Sequence, residues 1–82
     1  MVEVEFTKEF RETFFKIRDA GLKTQVIKQL KKIKENPKIG KPMRNVRKGT
    51  REVYIKPHRL SYSYIIKENT IYILDLYNKK NQ

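Results

Sequence analysis

Eighty-two residues carry 20 Lys and Arg against 9 Asp and Glu, a formal net charge of +11. That length allows one domain with a thin core, and with no Cys and one His it can form neither a disulfide nor a Cys/His zinc site. No apolar run approaches the ~20 residues of a membrane span, and the opening MVEVEF is not a signal peptide, so a single soluble, cytoplasmic domain over residues 1–82 is expected.

Residues 2–6, Val-Glu-Val-Glu-Phe, alternate apolar and acidic side chains, the period of a strand with one buried face. Thr7 is suited to cap a first helix, with Glu9 and Glu12 where the helix dipole favours negative charge. Phe10, Phe14 and Ile17 give that helix one apolar face as far as Arg18. Asp19-Ala20-Gly21 reads as the turn after it, with Gly21 as a left-handed cap. In a second helix Leu22, Val26, Leu30 and Ile33 form a stripe flanked by Ile27, and lysines cover the remainder. Asn36-Pro37 closes it, because proline disfavours a helical residue before it. So short a link between helices implies an antiparallel hairpin.

Residues 37–50 contain Pro37, Gly40, Pro42 and Gly49, and read as a loop with a residue or two of sheet. Residues 51–56, 59–66 and 70–77 then read as strands, joined at Pro57-His58 and at Lys67-Glu68-Asn69. Val53 and Ile55 share the core side with Leu60, Tyr62, Tyr64 and Ile66, while the last strand is apolar on both faces. The predicted fold is α+β, in the order β-α-α-β-β-β, with a helical hairpin packed on one face of a small antiparallel sheet.

Charge is uneven along the chain. Residues 1–21 hold four basic and five acidic side chains, net −1; residues 22–51 hold eleven and one, net +10; residues 52–82 hold five and three, net +2. Lysines on a helix are ordinarily a solvated face. Arg44, Arg47, Lys48 and Arg51 continue the run where no helical pattern exists, which points to a polyanionic partner. Nucleic acid is the first candidate, an acidic protein the second and a membrane surface the third.

With the apolar residues turned toward the helices, the other sheet face carries Tyr54, Lys56, Arg59, Ser61 and Ser63. Beside the loop cations, such a face suits RNA, since cations meet phosphates and a tyrosine can stack on an unpaired base. Each residue alone is an ordinary exposed strand residue; their convergence is the signal. Glu52, Glu68 and Asp75 lie on separate elements and suggest no Mg²⁺ cluster, so no metal or cofactor is expected. RNA permits metal-free cleavage through attack of its own 2′-OH, provided the protein positions the strand, neutralises the phosphorane and carries protons. Arg suits the second task; a Lys or Tyr among cations, or His58, suits the third. His58 is equally well read as a turn residue after Pro57.

The order βααβββ, the Glu35-Asn36-Pro37 end of the second helix, the stretch KPMRNVRKGTREVYIKPHRLSYSY and the final ILDLYNKKNQ resemble the RelE/ParE toxin superfamily over essentially the whole chain. The most specific part is the block with Arg44, Gly49, Arg51 and Arg59-Leu60-x-Tyr62, and the RelE branch is the more similar. The resemblance implies the toxin of a type II toxin–antitoxin system, a ribosome-dependent mRNA endoribonuclease that blocks translation. Such enzymes leave a 2′,3′-cyclic phosphate and a 5′-OH, and an acidic antitoxin protein silences them.

Carried onto this sequence, the resemblance puts Arg59 at the scissile phosphate and Arg44 and Lys48 on the RNA, within a basic surface that includes Arg47 and Arg51. Lys79, with Lys80 beside it, matches the basic position after the last strand. The branch's sheet lysines are replaced near Glu52 and Tyr54, leaving Lys56 as a nearby cation, and Tyr77 or Tyr54 takes the place of the C-terminal tyrosine. The candidate catalytic set is therefore Arg59, Lys56, Tyr54, His58, Tyr77 and Lys79. Leu22, Val26 and Ile27 are expected to offer the antitoxin a groove. ParE-branch members share the fold and inhibit gyrase without cleavage, so a ParE-like inhibitor is the alternative, followed by an RNA-binding module whose catalytic set has decayed.

Overall fold

The computed structural model describes residues 2–45 and 48–78. They form β1 (Glu3–Phe6), α1 (Lys8–Lys16), α2 (Ala20–Glu35), β2 (Lys41–Pro42), β3 (Arg51–Ile55), β4 (His58–Ile65) and β5 (Thr70–Asn78). A 3₁₀ turn, Ile66–Glu68, joins β4 to β5. No helix among the described residues is long and apolar enough to cross a membrane.

The strands lie in one sheet in the order β1-β5-β4-β3-β2. Pairing is antiparallel from β5 to β2, whereas β1 runs parallel to β5. The sheet is thus mixed where an antiparallel one was expected. Alternation with period two fixes which face a strand buries but says nothing of its partner or direction, and the long chain between β1 and β5 supplies the crossover that parallel pairing needs.

Thr7 caps α1 as expected, its Oγ1 accepting the Phe10 N–H at 3.2 Å. Asp19 caps α2 by accepting the Gly21 and Leu22 N–H groups at 2.8 and 3.2 Å. A carboxylate satisfying the first free N–H groups starts the helix at Ala20, so Gly21 lies in its first turn and not in a left-handed cap. Both helices cover one sheet face, where Phe10, Val26 and Ile33 join Ile55, Leu60, Tyr62, Ile71, Ile73 and Leu76 in the core. Val26 is fully buried and cannot line the expected groove. Ile66, expected in the core, is 65% exposed because β4 ends at Ile65.

Between β4 and β5 the register slips by one residue. Leu60 faces Leu76 and Ser61 faces Asp75, but Tyr62 faces Ile73, so Leu74 is the extra residue of a bulge. A one-residue slip inverts side-chain parity. Ile71, Ile73 and Leu76 therefore all bury toward the helices, while Asp75 and Tyr77 turn to the open face. Thr7 sits at this bulge, its hydroxyl shared between the carbonyls of Ile73 at 2.9 Å and Leu74 at 2.8 Å. Its N–H also bonds the Ile73 carbonyl, at 3.1 Å. Thr7→Val removes both the cap acceptor and the bulge donor. It is expected to cost about 1–2 kcal/mol, seen as a lower urea midpoint with an unchanged slope.

Candidate functional site

On the face away from the helices, two cross-strand rows meet. Lys41, Glu52, Ser61 and Asp75 form one; Tyr54, Arg59 and Tyr77 form the next. Arg59 Nη1 lies 3.4 Å from Glu52 Oε1, and its guanidinium carbon is 5.5 Å from the centre of the Tyr54 ring. The Tyr77 hydroxyl donates to the second Glu52 oxygen. The Glu52 side chain is only 2% exposed against 25% for Arg59, so the carboxylate lies beneath its partners. A buried carboxylate is tolerated there because a cation and a phenol satisfy it. Arg59 Nε is buried with no hydrogen-bond partner among the described residues.

Arg59 also walls an open cleft of about 640 Å³ whose other lining is the segment from Lys41 to Asn45, including Arg44. That segment is held from the helix side. The Gly40 N–H donates to the Tyr62 hydroxyl at 2.8 Å, which in turn donates to the Pro37 carbonyl at 2.7 Å. A Cβ on Gly40 would lie 2.7 Å from the Tyr62 ring, so only glycine fits the approach. Arg51 Nη1 bonds the carbonyls of Lys38 and Gly40 at 3.1 and 2.8 Å. Arg51 pairs with Tyr62 in register and shares its buried parity. Expected on the RNA surface, it instead braces the loop from behind.

Lys56 and His58 also depart from expectation. They line a smaller recess with Asp19, Leu22 and Gln25 at the start of α2. His58 pairs with core-facing Ile55 and shares its helix-side parity, and the turn carries Lys56 to the same side. The cations that converge with Arg59 are Lys41 and Arg44, not Lys56. Arg44 and Lys48 are exposed, and the Lys48 N–H bonds the Asn45 carbonyl at 3.0 Å. Arg47, Lys79 and Lys80 lie outside the described residues.

Glu52 is the member of this candidate site that sequence reasoning missed. The signal was available. A hairpin closing at Ile55 and His58 puts Tyr54 opposite Arg59 and Glu52 one step along on the same face, within diagonal reach of the guanidinium.

A helix pair on one face of a small mixed sheet is the architecture of several solved toxins. The toxin of the Escherichia coli RelBE complex aligns with a TM-score of 0.81 at 15% identity, over 95% of this chain and 96% of that one. The Mycobacterium tuberculosis RelBE2 complex gives 0.82 at 24%, over 95% and 98%. The YoeB/ParE toxin of Agrobacterium tumefaciens gives 0.82 at 13%, over 94% and 98%. At such identities the likeness is one of fold. No curated protein sequence matches the chain. Residues 4–82 do match the family model described as the ParE toxin of type II toxin–antitoxin systems (parDE), and the chain belongs to that family, within the RelE/ParE superfamily.

Burial pushes the Tyr62 phenol above its ordinary value of 10.0, against the lowering effects of the Gly40 N–H and Arg51. An acid whose pKa is raised by folding contributes stability that is intact below the unfolded value and lost as pH rises through the folded one. Tyr62→Phe is expected to lower stability by about 1–3 kcal/mol, since it strands the Gly40 N–H. It should also remove this residue's share of the fall above pH 10.0, and urea denaturation across neutral and alkaline pH measures both.

Proposed function

We propose that this chain is the toxin of a type II toxin–antitoxin system and acts as a ribosome-dependent mRNA endoribonuclease that blocks translation, with an acidic antitoxin as its protein partner. The observation that supports this reading is Arg59 beside Glu52 and two tyrosines at the wall of a basic cleft. An mRNA strand entering the cleft meets Lys41 and Arg44. Its scissile phosphate takes Arg59, whose fork of donors matches the non-bridging oxygens. As the phosphate takes over the guanidinium, Glu52 loses its ion-pair partner and accepts the proton of the 2′-OH. The bond from the 2′-oxygen to phosphorus forms and the bond to the 5′-oxygen breaks. Tyr54, exposed beside Arg59, gives the leaving oxygen its proton. Arg59 neutralises the charge that builds on the phosphorane, Tyr77 keeps Glu52 oriented, and the products are a 2′,3′-cyclic phosphate and a 5′-OH.

No step in this scheme needs a metal, because the nucleophile belongs to the RNA. Since Glu52 occupies Arg59 at rest, the strand must arrive already ordered, which is the part this reading gives the ribosome. Arg47, Lys48, Lys79 and Lys80 extend the RNA surface; Lys56 and His58 are left out of the chemistry. Solved complexes of RelE-like toxins with antitoxins support the protein partner, and the net +10 of residues 22–51 supports its acidity. The family description favours a second reading, ParE-like inhibition of gyrase without cleavage. Under that reading DNA supercoiling fails and mRNA stays intact.

Arg59→Lys keeps a cation beside buried Glu52 but loses the bidentate fork, so a folded protein with cleavage reduced about 10²-fold or more is expected, as for a lost oxyanion donor. Arg59→Ala should also destabilise, because it strands a buried carboxylate. Primer-extension mapping of mRNA ends on ribosomes measures the rate, and a wild-type rate in Arg59→Lys would place the active site elsewhere.

Binding of single-stranded RNA should weaken with salt at a log–log slope of about −0.7 per phosphate contact. Replacing Arg44, Arg47 and Lys48 together by Ala should flatten that slope by about 2 if each makes one contact. Fluorescence anisotropy over a salt series reports it, and an unchanged slope would move the RNA off this loop.

A further inference from the structure

The outer side of α1 carries aromatic rings that neither the core nor the cleft uses. Phe6, Phe10 and Phe14 stack in a ladder, with ring centroids 5.7 Å apart at each step and interplanar angles of 23° and 24°. Phe10 belongs to the core and is 3% exposed. Phe15 follows Phe14 by one residue, a turn of about 100° around the helix. That turn carries its ring off the core, and Phe15 is 78% exposed.

Residues four apart form the ridges of a helix surface, so Phe10 and Phe14 make one ridge, Arg11 and Phe15 the next, and a groove runs between them. The groove deepens into an apolar recess of about 190 Å³ lined by Phe6, Phe10, Arg11, Phe14 and Phe15, to which Arg11 gives its carbon stem. A phenyl ring fits that room, since a cavity of about 150 Å³ holds benzene. An exposed ring and a recess of its size thus share one short patch. That is the condition for a self-complementary contact about a two-fold axis. Charge selects the same occupant. Residues 1–21 are net −1, against +10 over residues 22–51, and Lys8 on α1 is paired with Glu12 at 3.9 Å. An acidic protein or an RNA gains little from so balanced a face. Two copies of a +11 chain repel, and α1 is where they approach at least cost.

We propose that the chain self-associates as a symmetric dimer through α1, the Phe15 ring of each copy seated in the recess of the other. Setting the Arg11–Phe15 ridge of one helix into the groove of the second crosses the two axes at about −50°. Each Arg11 guanidinium then lies over the second copy's Phe15 ring, whose π face meets the charge. The contact is small, one nine-residue helix from each copy, and belongs with weak interfaces below about 1,200 Å². Because α1 packs on the sheet face opposite Arg59, both clefts stay open. Such a dimer forms whether or not the chain cuts RNA or binds an antitoxin.

Sedimentation velocity on the full chain, over a concentration series at about 0.15 M and about 1 M salt, tests it. Between those conditions the screening length falls from about 8 to about 3 Å. A monomer–dimer equilibrium that tightens at the higher salt is expected, because an apolar contact holds two like-charged molecules together. Symmetry buries Phe15 twice, so Phe15→Ser should weaken the dimer about 10²-fold or more. Its ring is exposed in the single copy, so the variant should keep the wild-type urea midpoint. A chain that stays monomeric in both salts overturns the proposal and leaves the patch to a different protein. A dimer that salt dissociates, a dimer indifferent to Phe15→Ser, or association that runs on past two copies overturns it as well.

Discussion

The Thr7 hydroxyl at the β5 bulge is the contact on which the open face depends. Side chains alternate along a strand, and in an unbroken β5 Tyr77 would fall on the same side as Ile71 and Ile73. The extra residue, Leu74, reverses that parity and delivers Tyr77 to Glu52 and Arg59. Thr7 holds both carbonyls of the bulge while accepting the first N–H bond of α1. One side chain thus fixes where the helix starts and which face of β5 is which. The chemistry proposed for the open face is built on a helix cap on the other side of the sheet.

Two arginines eight residues apart show why charge alone does not mark a binding surface. Arg51 and Arg59 sit on neighbouring strands of opposite local parity with respect to the core. Arg51 spends its donors on the carbonyls of Lys38 and Gly40. Arg59 faces the cleft, beside the Glu52 carboxylate and the Tyr54 ring. Both matter to the same site, since the carbonyls that Arg51 holds, with the Tyr62–Gly40 bond, position the segment that brings Lys41 and Arg44 to the cleft. Under the RNA reading, truncating either weakens binding for different reasons, one by loosening the wall and the other by removing the contact.

Much of this fold was legible in the amino-acid sequence because its signals are local. The Phe10, Val26 and Ile33 stripes, the Thr7 cap and the Val53–Ile55 and Leu60–Tyr62 alternations each read true within a few residues. Arg59 on the open face followed from the same alternation. What could not be read is what neighbouring residues do not determine. The parallel partner of β1 depends on a strand sixty-odd residues away. The bulge looks, in TIYILDLY, like a strand apolar on both faces, since a slipped period and a doubly buried strand leave the same pattern. Lys56 was misplaced for a third reason: the tight turn after Ile55 takes it off the alternation of β3, whereas His58 keeps the helix-side parity of Leu60 and Tyr62.

Arg59 and Glu52 also divide capture from chemistry. The guanidinium is matched by a carboxylate, and Asp75 adds a second acid to the face, so the centre of the site is close to neutral. Long-range attraction must come instead from the net +10 of residues 22–51. At physiological ionic strength that field decays over about 8 Å, so cations at the cleft wall act on an incoming strand more than those on the far side of α2. A phosphate that reaches Arg59 must then displace a carboxylate already in contact. Loose electrostatic association cannot supply that exchange, because an unpositioned phosphate gains no more from the guanidinium than Glu52 already does. A phosphate held in line by other contacts can, since its ordering cost is met before it arrives. Under the proposed endoribonuclease reading, a basic protein of this kind associates with many RNAs and still acts on few.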